Sequence, residues 1–175
     1  MNAIVPGLSE RADWQAAPVA DLVAYIVKRF HERHRVQLPE LIRLSRKVEH
    51  LHEPDPDCPV GLTEMLEGLQ QALESHMLKE EQVLFPMFVQ GMGTLARGPV
   101  AVMRFEHQEQ DGAINDIRRL THELSLPAGA CNSWRALYGG LKTFMEDLAQ
   151  HIHLENEVLF LNASNAAEGA HHGRV

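Results

Sequence analysis

The ten residues His76-Met77-Leu78-Lys79-Glu80-Glu81-Gln82-Val83-Leu84-Phe85 return 75 positions later as His151-Ile152-His153-Leu154-Glu155-Asn156-Glu157-Val158-Leu159-Phe160. The shared pattern is H-x-x-x-E-x-x-V-L-F. On a helix, residues four apart lie one above the other, about 6 Å along the axis, so each copy presents an imidazole and a carboxylate to one target. Such a pair suits a metal ion.

Upstream of each copy lies another related segment, Arg29-Phe30-His31 and Arg104-Phe105-Glu106-His107, with His107 placed 76 positions after His31. The chain therefore reads as two helical hairpins, each giving one His from its first helix and a His plus a Glu from its second. Packed face to face about a pseudo-twofold axis, they bring His31, His76, His107, His151, Glu80 and Glu155 to one layer of a four-helix bundle. Four imidazoles and two carboxylates suit two metal ions bridged by the carboxylates. Isolated carboxylates in an apolar core cost several kcal/mol each, roughly, and coordination offsets that cost.

The order of the chain agrees with this architecture. Residues 1–17 are a lead-in, pinned to the bundle by Trp14. Helix A begins near Pro18, with an inward face of Val23, Val27, Phe30, His34, Leu41, Leu44, Val48 and Leu51, and Pro39 is expected to kink or split it. Glu53 to Gly61, with three prolines, is the first hairpin loop. Helix B runs from about Leu62, with Thr63 as its cap, and stops at Pro86. The glycine-rich stretch 90–99 joins the hairpins. Helix C starts near Val100 and reaches Leu124, Pro127 to Asn132 form the second loop, and helix D, capped by Asn132 or Ser133, runs to Leu161. Residues 162–175 read as a frayed tail. With no alternating strand pattern, the expected fold is all-α, an up-down-up-down bundle over residues 18–161.

Composition narrows the partners. The net charge of −8 repels nucleic acid and anionic lipid. The start lacks a signal-peptide pattern and no apolar run is long enough to span a bilayer, so a cytoplasmic protein is expected. Cys58 and Cys131 are too few for a disulfide framework; both fall in hairpin loops at one bundle end.

Not every one of the 11 histidines suits the layer. His34 is close in height but breaks the repeat; His52 lies at the hairpin end, several turns away; His50, His122, His153, His171 and His172 fall on polar faces or in the tail. Zinc prefers four ligands, often thiolates, and no Cys lies in the layer. Mixed imidazole and carboxylate ligation around a bridged pair suits iron, with manganese second. Glu106 and Asp111, beside His107, are candidates for supporting hydrogen bonds.

The stretches Arg29-Phe30-His31-Glu32-Arg33-His34-Arg35, Leu38-Pro39-Glu40-Leu41, Ser75-His76-Met77-Leu78-Lys79-Glu80-Glu81, Val83-Leu84-Phe85-Pro86-Met87, Gly91-Met92-Gly93 and His151-Ile152-His153-Leu154-Glu155-Asn156 resemble the hemerythrin-like proteins of the repair-of-iron-centres family. The likeness covers about Asp13 to Leu161. It implies a non-haem di-iron centre with an oxo or hydroxo bridge, and a cytosolic role under nitric oxide or oxidative stress. It also implies assistance to damaged iron–sulfur clusters. The family's ligands fall on His31, His76, Glu80, His107, His151 and Glu155. Family members usually carry an N-terminal domain with adjacent cysteines, and this chain is expected to be a short form without it. Such forms are associated with nitric oxide binding.

Four imidazoles, two bridging carboxylates and the third bridge leave about two positions open on a pair of six-coordinate irons. Oxygen-carrying hemerythrins recruit a fifth His from helix C, and the place one turn after His107 is Asp111 here. The expected ligand is therefore nitric oxide, with dioxygen transport, iron donation to damaged clusters and reductive coupling of nitric oxide as alternatives. No catalytic residue is assigned.

Overall fold

The computed structural model describes residues 14–163, so most of the lead-in and tail lie outside the described residues. Among the described residues six α-helices follow in order: α1 Val19–Ile26, α2 Glu32–His52, α3 Leu62–Lys79, α4 Phe85–Val89, α5 Arg97–Leu120 and α6 Asn132–Leu154. They make four rods, because π-turns at Val27–His31 and Glu80–Leu84 join α1 to α2 and α3 to α4, and a third at Glu155–Leu159 extends α6. A short 3-10 turn, Gly93–Ala96, leads into α5. The rods form an antiparallel four-helix bundle, with no strand among the described residues. Among those residues no helix is long and apolar enough to cross a membrane.

The π-turns revise how the prolines act. The first rod is interrupted at Val27–His31 and runs through Pro39 as one helix. The second rod continues past Pro86 to Val89, because the Phe85 N–H bonds to the Glu80 carbonyl in the wide π pattern and Pro86, lacking an N–H, follows that change of ladder. The extra residue in the first π-turn also rotates the stripe. Leu22 and Ile26 are buried where a uniform period would bury Val23 and Val27, and Leu51, at the helix end, is exposed.

Caps also differ from expectation. Gly61, at φ 96°, precedes α3 in a conformation that favours glycine. The Thr63 N–H donates to Glu49 Oε1 of α2 at 2.8 Å, while the Thr63 hydroxyl pairs with Ser45 at 2.8 Å. α6 begins after Cys131 without a side-chain cap. α5 ends at Leu120, and Leu124 lies beyond it with a positive φ. Trp14 does hold to the bundle, its ring 4.5 Å from that of Tyr25 and its carbonyl accepting from Asn162 Nδ2 at 3.3 Å.

Buried apolar residues form two clusters. One includes Leu38, Leu41, Leu73, Met77, Ile117, Leu141, Phe144 and Leu148; the other includes Leu22, Ile26, Leu84, Phe85, Met103, Val158 and Phe160. On every rod the break between them falls at a buried polar residue: His31, Glu80, His107 and Glu155. The polar layer thus lies between two dry plugs.

Candidate metal centre

Each of the three π-turns begins or ends at a residue of this layer: His31 closes the first, Glu80 opens the second and Glu155 opens the third. π-turns widen a helix locally and gather at functional sites. His31, His76, Glu80, His107, His151 and Glu155 are all buried and converge. They fall into two groups, His31 with His151 and His76 with His107, and both groups share Glu80 and Glu155; within each, the potential ligand atoms lie within 4.8 Å of one another.

Hydrogen bonds on the outer edge orient the imidazoles. His31 Nδ1 donates to Glu81 at 2.8 Å, His76 Nδ1 to Glu106 at 2.8 Å and His107 Nδ1 to Asn156 at 3.1 Å. A proton held at Nδ1 leaves the Nε2 lone pair facing inward, as a metal ligand requires. Glu81 and Asn156 occupy equivalent places after the two repeat carboxylates, and each reaches the His of its own hairpin's first rod. Arg35 fixes Glu81 in turn, at 2.9 Å.

The inner edge is where a cation fits. His31 and His151 bring their Nε2 atoms to 3.1 Å, and His76 and His107 do the same at 3.1 Å. With Nδ1 protonated on His76 and His107, their facing lone pairs repel unless a positive charge lies between. Both Glu80 oxygens and Glu155 Oε2 are buried without a hydrogen-bond partner among the described residues, although His107 Nε2 approaches Glu155 Oε2 at 3.1 Å. Buried carboxylates with unpartnered oxygens beside inward-facing imidazoles form a donor set for divalent ions, the other Glu155 oxygen, Oε1, lying 2.9 Å from His151 Nε2.

Protons compete for the same places. Burial alone would lower the His31 imidazole, but Glu155 and Glu80 overcome it and push it up to about 10. His76, opposed by burial in the same way and supported chiefly by Glu80, rises to about 9. Burial would raise the Glu155 carboxyl, yet His151, His107 and His31 around it hold it well below the usual range.

The remaining sequence candidates separate cleanly. Glu106 supports His76, whereas Asp111 is exposed; the buried residue one turn after His107 is Gln110, 4% exposed. Phe105, matched to Phe30 by its Arg-Phe pair, is 60% exposed, and Glu106 takes the place equivalent to Phe30. Hence His151 has no carboxylate on Nδ1; Phe30 stacks on its ring at 5.2 Å instead. His52 packs on Trp134 at 4.8 Å and bonds to Cys131, remote from the layer. His34 is buried against His151, with ring centroids 5.3 Å apart, outside both ligand groups.

The hemerythrin HHE cation-binding domain profile matches residues 22–161, the span that carries all six converging side chains. The chain belongs to the hemerythrin family. Among its relatives, the iron-sulfur cluster repair protein YtfE of Pectobacterium carotovorum is 50% identical over 155 residues, which is 89% of this chain and 70% of that protein. YtfE of Dickeya chrysanthemi is 48% identical over the same coverage. YtfE of Yersinia pestis is 48% identical over 151 residues, 86% of this chain and 68% of that protein. In this hemerythrin-family chain the donors are distributed as a bundle of two repeated hairpins demands, each hairpin contributing to both ligand groups.

Proposed function

We propose that the chain is a cytoplasmic di-iron protein of the nitrosative and oxidative stress response. In this reading it binds nitric oxide and assists the repair of damaged iron–sulfur clusters. The observation that carries the metal reading is the pair of histidine couples, each closed to 3.1 Å over the same two carboxylates. The names of relatives 48–50% identical support the repair role.

In this reading His31 and His151 would hold one iron and His76 and His107 the other, with Glu80 and Glu155 available to both. The irons supply redox-active positions for a small ligand. The protein's own contribution is positional. Glu81, Glu106 and Asn156 keep three imidazoles facing inward, and the apolar plugs on either side keep bulk water from the carboxylates.

Metal analysis of protein purified without an affinity tag, followed by optical titration of the reduced form with nitric oxide, tests the reading. About two irons per chain and a saturable nitrosyl spectrum are expected. Incubation with a nitric-oxide-damaged iron–sulfur enzyme should then restore its activity. One zinc, or no iron after anaerobic loading, would sink the di-iron assignment; loaded protein that restores nothing would sink the repair role alone.

A further inference from the structure

His34 and Gln110 are repeat-related, each three positions after the histidine of its hairpin's first rod. Both are buried, and each has one acceptor atom, His34 Nε2 and Gln110 Oε1, without a partner among the described residues. They therefore mark a second polar level beside the ligand layer. Each also lines a cavity: His34 one of about 640 Å³ between α2 and α3, Gln110 one of about 320 Å³ between α3 and α5. An amide can present either its oxygen or its NH2 inward, so Gln110 has no fixed polarity.

His34 does. Arg29 Nη2 and Gln37 Nε2 donate to Asp147 at 2.8 Å each, and Arg33 Nε lies 2.7 Å from the same carboxylate. That orients the Gln37 amide with Oε1 toward His34, whose Nδ1 donates to it at 3.2 Å. The proton is thus committed to Nδ1, and Nε2 keeps its lone pair. A buried neutral acceptor with nothing to accept from is destabilising unless a donor reaches it. Phe30, Phe144 and His151 pack around the His34 ring, at 6.3, 5.4 and 5.3 Å between centroids.

We propose that His34 is a hydrogen-bond-accepting subsite for a small protic ligand, an O–H or N–H donor of a few heavy atoms, on the His31–His151 side of the centre. The inference rests on the two-metal reading. Its consequence is selectivity: of two ligands matched in shape and charge, the one carrying a hydrogen is held more tightly.

Azide and hydrogencyanamide, NCNH⁻, are linear anions of the same charge, and only the second has an N–H. Their dissociation constants for the iron-loaded protein are measured by optical titration, which needs no turnover. Because hydrogencyanamide is the stronger base, the quantity read is the change in the hydrogencyanamide-to-azide ratio between the unaltered protein and its variants at one pH. His34→Leu should weaken hydrogencyanamide about three- to tenfold relative to azide, the range of one neutral hydrogen bond. Gln37→Met, at a half-buried position, leaves His34 in place but frees its tautomer, and should shrink or reverse the preference. A ratio unmoved by both variants, with azide still binding, overturns the subsite and leaves the centre standing. Failure of azide to bind the unaltered iron-loaded protein overturns the accessible metal centre, and the subsite with it.

Discussion

Adding divalent metal to the metal-free protein at pH 7 is expected to expel about two protons per chain from the two histidine couples, besides any lost by a bridging water. Two Nε2–Nε2 couples at 3.1 Å can each close through one shared proton, and the His31 and His76 imidazoles are pushed up to about 10 and about 9. At neutral pH both are then almost fully protonated, and an ion on either couple must displace that proton. Calorimetry of metal binding in buffers of different ionisation enthalpy reads the number directly. The overall affinity for the two ions should rise by roughly two log units per pH unit below pH 9, one for each ion, and level off above 10. The same groups act oppositely on the metal-free fold. Because their folded pKa values lie above the unfolded 6.5, their stabilisation is complete below about pH 6.5 and is lost as pH rises through 9 to 10. Proton release near zero, with affinity flat between pH 7 and 9, would refute the argument that protons and metal share these couples.

Replacing Asn156 by Leu removes the acceptor on His107 Nδ1, and Glu106→Leu removes that on His76. Each should lower metal affinity about 10- to 100-fold in a chelator competition, while Asp111→Ala, an exposed change, leaves it unmoved. Glu49→Ala deprives the Thr63 N–H of its partner and should cost about 1 kcal/mol in urea unfolding. Two adjacent glycines should respond with opposite signs. Gly139→Ala has open space and should stabilise by about 0.5–1 kcal/mol, whereas a Cβ at Gly140 would meet Leu41 Cδ2 at 2.9 Å and should destabilise by about 1 kcal/mol net. Equal thermal shifts for that pair would contradict the close approach of α2 and α6.

The bundle and the convergence of six side chains were legible in the chain because a helical period and a 75-residue repeat are local, countable properties. A repeat that places the same residue types at the same height in two hairpins leaves few ways to pack them. What the chain did not disclose is rotation. At helical spacing, positions i+3 and i+4 differ by about 100° around the axis, and only the neighbouring rods decide which is inward. So Gln110 rather than Asp111 is buried, and Glu106 rather than Phe105 stands where Phe30 stands in the first hairpin. The π-turns were hidden for a related reason. A single extra residue per turn leaves no mark on composition, yet it carried helix through Pro86 and shifted the buried face to Leu22 and Ile26. Thr63 and Asn132 have the composition of caps, but Glu49 from another helix takes the first role and the second is unfilled. The sequence by itself determined the helices, their pairing and the chemistry of the donors. Tertiary packing decided which atoms face one another, because three of the four imidazoles are oriented by a hydrogen bond from a different rod and the fourth, His151, by the ring of Phe30.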